Sequence, residues 1–131
     1  MKTSILFSMA LLASATAQAA DLVVITHPSA GPLTKDQVAQ VFLGKSETLT
    51  PVDQNESSPI YAEFYKKATG RDVAQVKSTW SRIVFSGKGE APKQMADSAA
   101  VKKAVAANPK AVGYIEKSAV DGTVKAAVTL D

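Results

Sequence analysis

Residues 22–44 read LVVITHPSAGPLTKDQVAQVFLG, a β-branched run followed by a loop and then by a helical pattern. The apolar run at residues 22–25 predicts a buried strand. Thr34, with Gln37 three residues later, predicts a capping box at the start of a helix, and Gly44 is a typical helix end. A strand followed closely by a capped helix is the unit from which α/β domains are built.

The same alternation continues to the end of the chain. Ser58 followed by Pro59 predicts a helix start with Ser58 as the N-cap. Asp72 predicts the cap of the next helix. We expect further strands at residues 51–54, 112–115 and 124–130, and a fourth helix at residues 98–107. The predicted fold class is therefore α/β, with a mostly parallel or mixed sheet flanked by helices.

The N-terminal segment has the pattern of an export signal. Lys2 is followed by a short apolar run at residues 5–13 and by the small residues Ala17 and Ala19. The run is too short for a permanent transmembrane helix. We therefore predict a signal peptide at residues 1–19, a single domain at residues 20–131, and a periplasmic protein that does not span the membrane when mature.

Composition excludes several functional classes. The 131 residues contain no cysteine and one histidine, so we predict no metal site and no cofactor. The net charge of +3, one unit of which is Lys2, is too small to indicate nucleic-acid binding. No G-x-S-x-G motif is present, and His27 has no evident nucleophile beside it, so we predict that the chain is not an enzyme. A small hydrolase is the weakest hypothesis.

Two segments have the residue types of an anion site. Ser57 and Ser58 stand at the predicted start of the second helix, where unpaired amides and the helix dipole favour an anion. The alternative is that Ser58 only caps its own helix, and the neighbouring Glu56 repels anions. The second segment is Ser86-Gly87-Lys88-Gly89, in which two glycines allow backbone amides to form a concave nest beside a positive charge. Its alternative is a turn that leaves a helix.

Four segments together resemble one known family. Residues 33–45 are similar to the L-T-x-x-Q-[LV]-x-x-[IV]-F-x-G-K stretch of phosphate ABC-transporter substrate-binding proteins. Residues 51–57 resemble that family's I-x-P-V-x-R-x-[DE]-G-S-G-T segment, and residues 86–89 resemble its G-K-G loop. Residues 108–116 resemble its x-P-G-A-I-G-Y-V-E strand. The resemblance extends from residue 22 to about residue 116, with the segments in the family's order.

The resemblance implies one lobe of a periplasmic-binding-protein-like fold. The serine of the family's S-G-T turn, which binds phosphate, falls on Ser57, whereas its glycine and threonine are replaced by Ser58 and Pro59. The family clamps its ligand between two lobes, and 112 residues suffice for roughly one. Binding against a single open face should be weak, because water competes for every donor.

Two functions remain open from the sequence. The first is an exported protein that binds inorganic phosphate or a similar oxyanion for uptake or sensing. Its site would comprise Ser57, Ser58 and residues 86–89, with Thr26 and Ser29 after the first strand as secondary candidates. The alternative is a periplasmic interaction module that keeps the fold, has lost phosphate binding, and docks on an envelope protein or on a second copy of itself.

Overall fold

A computed structural model describes residues 21–130, and the predicted signal peptide lies outside these described residues. The strands are β1 (Leu22–Thr26), β2 (Thr50–Gln54), β3 (Lys93–Met95), β4 (Ala111–Glu116) and β5 (Lys125–Leu130). The helices are α1 (Lys35–Phe42), α2 (Tyr61–Thr69), α3 (Val73–Phe85) and α4 (Ser98–Ala107), and a short 3-10 turn (Lys117–Ala119) follows β4. The sequence predicts each of these helices and every strand except β3, which is short and polar.

The strands form one mixed sheet in the order β3-β2-β4-β1-β5. Strand β2 is parallel to both β3 and β4, whereas β1 is antiparallel to β4 and β5. The predicted α/β class with helices flanking a mixed sheet is confirmed. Because β1 runs against its neighbours, its carboxyl end lies at the opposite end of the sheet from the carboxyl ends of β2, β3 and β4.

Side-chain alternation along the strands creates a separate core on each face of the sheet. On one face, Val24 of β1 packs in a cluster with Phe42 of α1 and Phe64 of α2. The ring of Phe64 stacks on Tyr114 of β4, with 3.7 Å between ring centroids. On the other face, Val23 packs in a smaller, aliphatic cluster that includes residues of α4.

Helix α4 approaches the sheet closely at Gly113 of β4. A Cβ atom placed on this glycine would lie 2.6 Å from Cγ1 of Val101 and 3.2 Å from Cγ2 of Val105. Real Cβ atoms do not make the shorter of these contacts, so a side chain here would push α4 away from the sheet. Glycine at this position therefore sets the helix-to-sheet distance on the aliphatic face.

The helix starts test the capping predictions. The capping box of Thr34 and Gln37 on α1 is confirmed, and Asp72 caps α3 as predicted, its carboxylate accepting from the N–H of Gln75. The prediction for α2 is wrong, because the helix begins two residues after Pro59 and has no side-chain cap. The hydroxyl of Ser58 donates to Gln54 at 2.8 Å and accepts only a long bond, 3.5 Å, from the N–H of Ile60, which precedes the helix.

Within residues 21–130, no helix combines the length and the apolar character needed to cross a bilayer.

Candidate functional site

A cleft lies at the carboxyl ends of β2, β3 and β4, where the chain also enters α2 and α4. Its volume is ≈ 530 Å³. We call it the serine cleft and define it by six of its lining residues: Gln54, Ser57, Ser58, Asp97, Ser98 and Glu116. This is the end of the sheet at which α/β proteins usually place their ligands.

A relay of hydrogen bonds crosses the floor of the serine cleft. The hydroxyl of Ser58 donates to Oε1 of Gln54 at 2.8 Å, and Nε2 of Gln54 donates to the hydroxyl of Ser98 at 2.9 Å. Ser98 in turn donates to Oε2 of Glu116 at 2.6 Å. A serine hydroxyl has one proton to donate, so both serines have committed theirs to neighbours within the protein.

Ser57 is also engaged within its own turn. Its backbone N–H and its hydroxyl both donate to Oδ1 of Asn55, each at 3.0 Å. The N–H of Ser58 donates to the carbonyl of Asn55 at 2.8 Å. The predicted cluster of donors at the start of α2 is therefore present in space, but its protons point at Asn55 and Gln54.

The structure does not bring the glycine-rich loop at residues 86–89 to the serine cleft. The loop ends α3, and Gly87 has the left-handed φ of 71° that is typical of the residue after a helix cap. Its N–H donates to the carbonyl of Val84, and the N–H of Lys88 donates to that of Ile83. These two bonds form a Schellman motif. This corrects the prediction of a nest, because the amides of Gly87 and Lys88 already bond the last turn of their own helix.

Ser86 and Gly89 are likewise local to the end of α3. The hydroxyl of Ser86 donates to the carbonyl of Ile83 at 2.9 Å. Gly89 lies against Ile83, whose Cγ2 would be 3.3 Å from an added Cβ. The loop stands at the carboxyl end of a helix, where the dipole is negative and disfavours an anion.

The secondary candidates, Thr26 and Ser29, lie at the other end of the sheet. Thr26 pairs with Val112 at the start of β4 because β1 is antiparallel to β4. Its side chain is fully buried, and its hydroxyl has no hydrogen-bond partner among the described residues. Ser29 is exposed and bonds Nδ1 of His27 at 2.7 Å. Contrary to the prediction, Thr26 and Ser29 do not lie in one site with Ser57, because β1 is antiparallel to β4.

The serine cleft is rich in acceptors. Asp97 and Glu116 both line it, and none of its lining residues is lysine or arginine. Donors remain at the start of α4, where the N–H groups of Ser98 and Ala99 have no acceptor within the helix. Within residues 21–130, no three aspartate, glutamate or histidine side chains are grouped as a metal site requires.

Sequence reasoning missed Asp97, Ser98 and Glu116. The Asp-Ser pair does have the form of a helix start, and Asp97 caps α4 by accepting from the N–H of Ala100. Glu116 directly follows the predicted strand at residues 112–115 and ends the observed β4. No local pattern indicates the bond between Gln54 and Ser98, which are 44 residues apart along the chain.

A second cavity, of ≈ 370 Å³, lies on the other face of β2. We call it the aromatic cavity. The residues that define it are Asp53, Glu56, Tyr61, Tyr65, Trp80 and Phe85. They come from β2, α2, α3 and, for Glu56, the turn between β2 and α2. The indole N–H of Trp80 donates to the carbonyl of Phe42 at 2.9 Å, which fixes the ring.

Asp53 is a buried acid at this cavity, with 3% of its surface exposed. The hydroxyl of Tyr65 donates to its Oδ2, and that of Tyr114 donates to its Oδ1. Burial raises the pKa of Asp53, while these two hydroxyl bonds act in the opposite direction. Burial, followed by the charges of Asp53 and Glu56, raises the pKa of Tyr61 to about 12.

Comparisons with known proteins identify solved structures of similar fold. No protein-family model matches the chain, and no curated protein sequence matches it. The structure is similar to an ABC-type phosphate transport receptor from Vibrio cholerae, with a TM-score of 0.63 and 20% identity, over 82% of this chain and 45% of that one.

Two further solved structures give the same relationship. A putative phosphate ABC transporter substrate-binding protein with bound phosphate from Clostridium perfringens has a TM-score of 0.62 and 21% identity, over 82% of this chain and 44% of its own. PstS from Borrelia burgdorferi has a TM-score of 0.56 and 13% identity, over 75% and 41%. This chain thus spans less than half the length of the structures it matches. The predicted likeness is confirmed for the fold: the chain has the periplasmic-binding-protein-like architecture of part of a phosphate-transporter substrate-binding protein.

Proposed function

We propose that this protein binds a phosphate-like oxyanion in the serine cleft, as an exported binding protein for uptake or sensing rather than as an enzyme. One observation carries the proposal: the cleft combines the carboxyl ends of three strands with the positive end of α4. The solved structures with the same fold are substrate-binding proteins, and one of them holds phosphate. Periplasmic location is part of the proposal.

Binding requires the cleft to exchange hydrogen bonds. Ser57 and Ser58 would turn their hydroxyl protons from Asn55 and Gln54 to the anion. The N–H groups of Ser98 and Ala99, in the first turn of α4, have no acceptor within the helix. Each new bond replaces an existing one, so the net gain is small. We therefore expect weak affinity.

The carboxylates of Asp97 and Glu116 supply a basis for selectivity. Monohydrogen phosphate carries one O–H group and can donate it to a carboxylate, whereas sulfate at neutral pH carries none and is only repelled. We expect phosphate to bind more tightly than sulfate for this reason. Chloride, which is spherical and smaller, serves as the ionic-strength control.

The test is thermal unfolding in phosphate, sulfate and chloride at equal ionic strength. A ligand present at about a hundred times its Kd stabilises the folded state by roughly 2.7 kcal/mol. Replacing Ser57 and Ser58 together with alanine should remove a phosphate-specific shift. Ser29→Ala is the matched control, because Ser29 lies at the other end of the sheet. A shift lost only in Ser29→Ala would place the anion at that end and overturn the proposal.

A second function is favoured by the committed donors of the serine cleft. Since Ser57 and Ser58 already bond Asn55 and Gln54, the cleft is stable without an ion. An interaction module that keeps the fold and has lost phosphate binding would have this arrangement, with an envelope protein or a second copy of the chain as its partner. The absence of any phosphate-specific shift at millimolar phosphate would favour this second function over the first.

A further inference from the structure

The aromatic cavity is chemically different from the serine cleft and has no part in the proposed anion binding. Its walls are the rings of Tyr61, Tyr65, Trp80 and Phe85, and Asp53 lies among them. Phe85 at its mouth is 93% exposed, which is unusual for a phenylalanine in a soluble domain. The volume of ≈ 370 Å³ lies at the lower end of the range for small-molecule sites.

Asp53 retains capacity to accept one more hydrogen bond. A carboxylate offers about four acceptor positions. Three are taken, because Oδ1 accepts from the Tyr114 hydroxyl and from the N–H of Gln54, and Oδ2 accepts from the Tyr65 hydroxyl. The remaining position on Oδ2 suits a donor, and a positively charged donor would also offset the burial of the carboxylate.

Aromatic rings around a carboxylate select for a cation. The faces of tryptophan and tyrosine attract ammonium groups, most strongly where water is excluded. Glu56 at the rim adds a second carboxylate, and the basic side chain among the lining residues, Lys77, is held by it at 2.8 Å. An anion would meet Asp53 and Glu56, whereas an apolar molecule would leave the fourth acceptor position of Asp53 without a donor.

We propose that the aromatic cavity binds a primary alkylammonium group, with an N–H donated to Oδ2 of Asp53 and the alkyl chain lying between the rings. A four-carbon chain, as in a lysine side chain, suits a cavity of this volume. The ammonium group comes either from a free amine or from a lysine of another protein. The two sources share one chemistry at the site.

Trp80 reports on the site directly, because it is the single tryptophan of the chain and it lines the cavity. Titration of the protein with n-butylammonium should change the tryptophan fluorescence in a saturable manner. n-Butanol has the same carbon chain without the charge and should produce no saturable change. An equal response to both compounds would overturn the proposal, as would no response to butylammonium at tens of millimolar.

Two substitutions should move the affinity in opposite directions. Asp53→Asn removes the acceptor charge and should weaken butylammonium binding about tenfold, since a hydrogen bond to a charged group contributes on the order of 1.5 kcal/mol or more. Lys77→Gln removes the like charge at the rim and leaves Glu56 without its partner, so it should tighten binding severalfold. Lys66→Gln, an exposed lysine of α2 outside the cavity, is the matched control and should leave the affinity unchanged.

Asp53→Asn and Lys77→Gln test the proposal independently of each other. Should Asp53→Asn fail to fold, the exposed Lys77→Gln still tests the charge dependence, and unchanged or weaker binding in that variant overturns the proposal. A short peptide with one lysine and blocked ends distinguishes the two sources. Tighter binding of the peptide than of butylammonium supports a protein partner, and weaker binding of the peptide supports a free amine.

Discussion

Asp53 and Gln54 are adjacent on β2 and both are buried, yet they organise opposite faces of the sheet. Asp53, which lines the aromatic cavity, accepts bonds from the hydroxyls of Tyr65 and Tyr114. Gln54 relays bonds between two serines in the serine cleft. The alternation of side chains along a strand separates the two environments within one residue. A single strand can therefore contribute to two unrelated kinds of polar site, a buried acid and an exchangeable hydroxyl network.

Replacing Asp53 with alanine should lower the free energy of unfolding more than replacing Gln54. Asp53→Ala leaves the hydroxyls of Tyr65 and Tyr114 buried without their acceptor, which should lower the free energy of unfolding by roughly 2–5 kcal/mol. Gln54→Ala removes weaker bonds beside an open cleft and should cost roughly 1–2 kcal/mol. Equilibrium denaturation of both variants measures the difference. An equal or larger loss in Gln54→Ala would contradict the proposed asymmetry between the two faces.

The sequence predicts the elements of the fold better than their directions. The run at residues 22–25 and the caps at Thr34 and Asp72 are local patterns, and the structure confirms the strand and both helix starts. The antiparallel direction of β1 depends on pairing with β4, 90 residues away, and no local pattern encodes it. Because of that direction, Thr26 and Ser29 lie at the other end of the sheet from Ser57 and Ser58.

The sequence predicts the residues of the candidate sites less well than it predicts the helices and strands. Ser57 and Ser58 are candidates because serines before a helix can bind an anion together with the helix amides, and the structure places both in the serine cleft. At residues 86–89 the sequence is compatible with both a glycine nest and a Schellman motif. The carbonyl partners of Gly87 and Lys88, which only the structure shows, decide for the Schellman motif. The sequence predicts Asp53 in a strand but indicates no role for it, because Tyr114, which donates to it, is 61 residues distant along the chain.

The next effect concerns the packing of the face to which Gln54 points. Gly113→Ala places a methyl group where Cγ1 of Val101 would be 2.6 Å away, so α4 must move from the sheet. Overpacking of this kind should destabilise the protein by about 1–3 kcal/mol. Gly122→Ala is the matched control, since no atom lies within 4 Å of its added Cβ. Equal denaturation midpoints for the two variants would contradict the close approach of α4.

A smaller effect is expected from interrupting the relay in the serine cleft. Ser98→Ala removes the bond to Glu116 and the acceptor for Gln54, both in a half-buried position. The expected loss of unfolding free energy is about 1 kcal/mol, because water can replace part of what is lost. Denaturation of the double variant Gln54→Ala with Ser98→Ala, compared with the two single variants, measures the coupling between these side chains. Strictly additive losses would mean that the two side chains are not coupled.

The last expected effect is a slope with pH, and it belongs to Asp53. Burial raises the pKa of this carboxyl above 3.8 in the folded protein, while the bonds from Tyr114 and Tyr65 oppose the rise. A raised pKa means that the folded state holds the proton more tightly than the unfolded chain does. The preference of the folded state for protonated Asp53 therefore contributes its full stabilisation at pH values below 3.8. This contribution is lost as the pH rises through the folded-state pKa.

Asp53→Asn isolates this slope because asparagine does not titrate. The unfolding free energy of the native protein minus that of Asp53→Asn should fall as the pH rises above 3.8 and then become constant. Urea denaturation of both proteins at a series of pH values measures this difference, and the contributions of other acids cancel in the subtraction. A difference that rises with pH would mean that the two tyrosine hydroxyls stabilise the carboxylate by more than burial disfavours it. Asp53 of the aromatic cavity would then be ionised before any cation binds, rather than with the help of a bound cation.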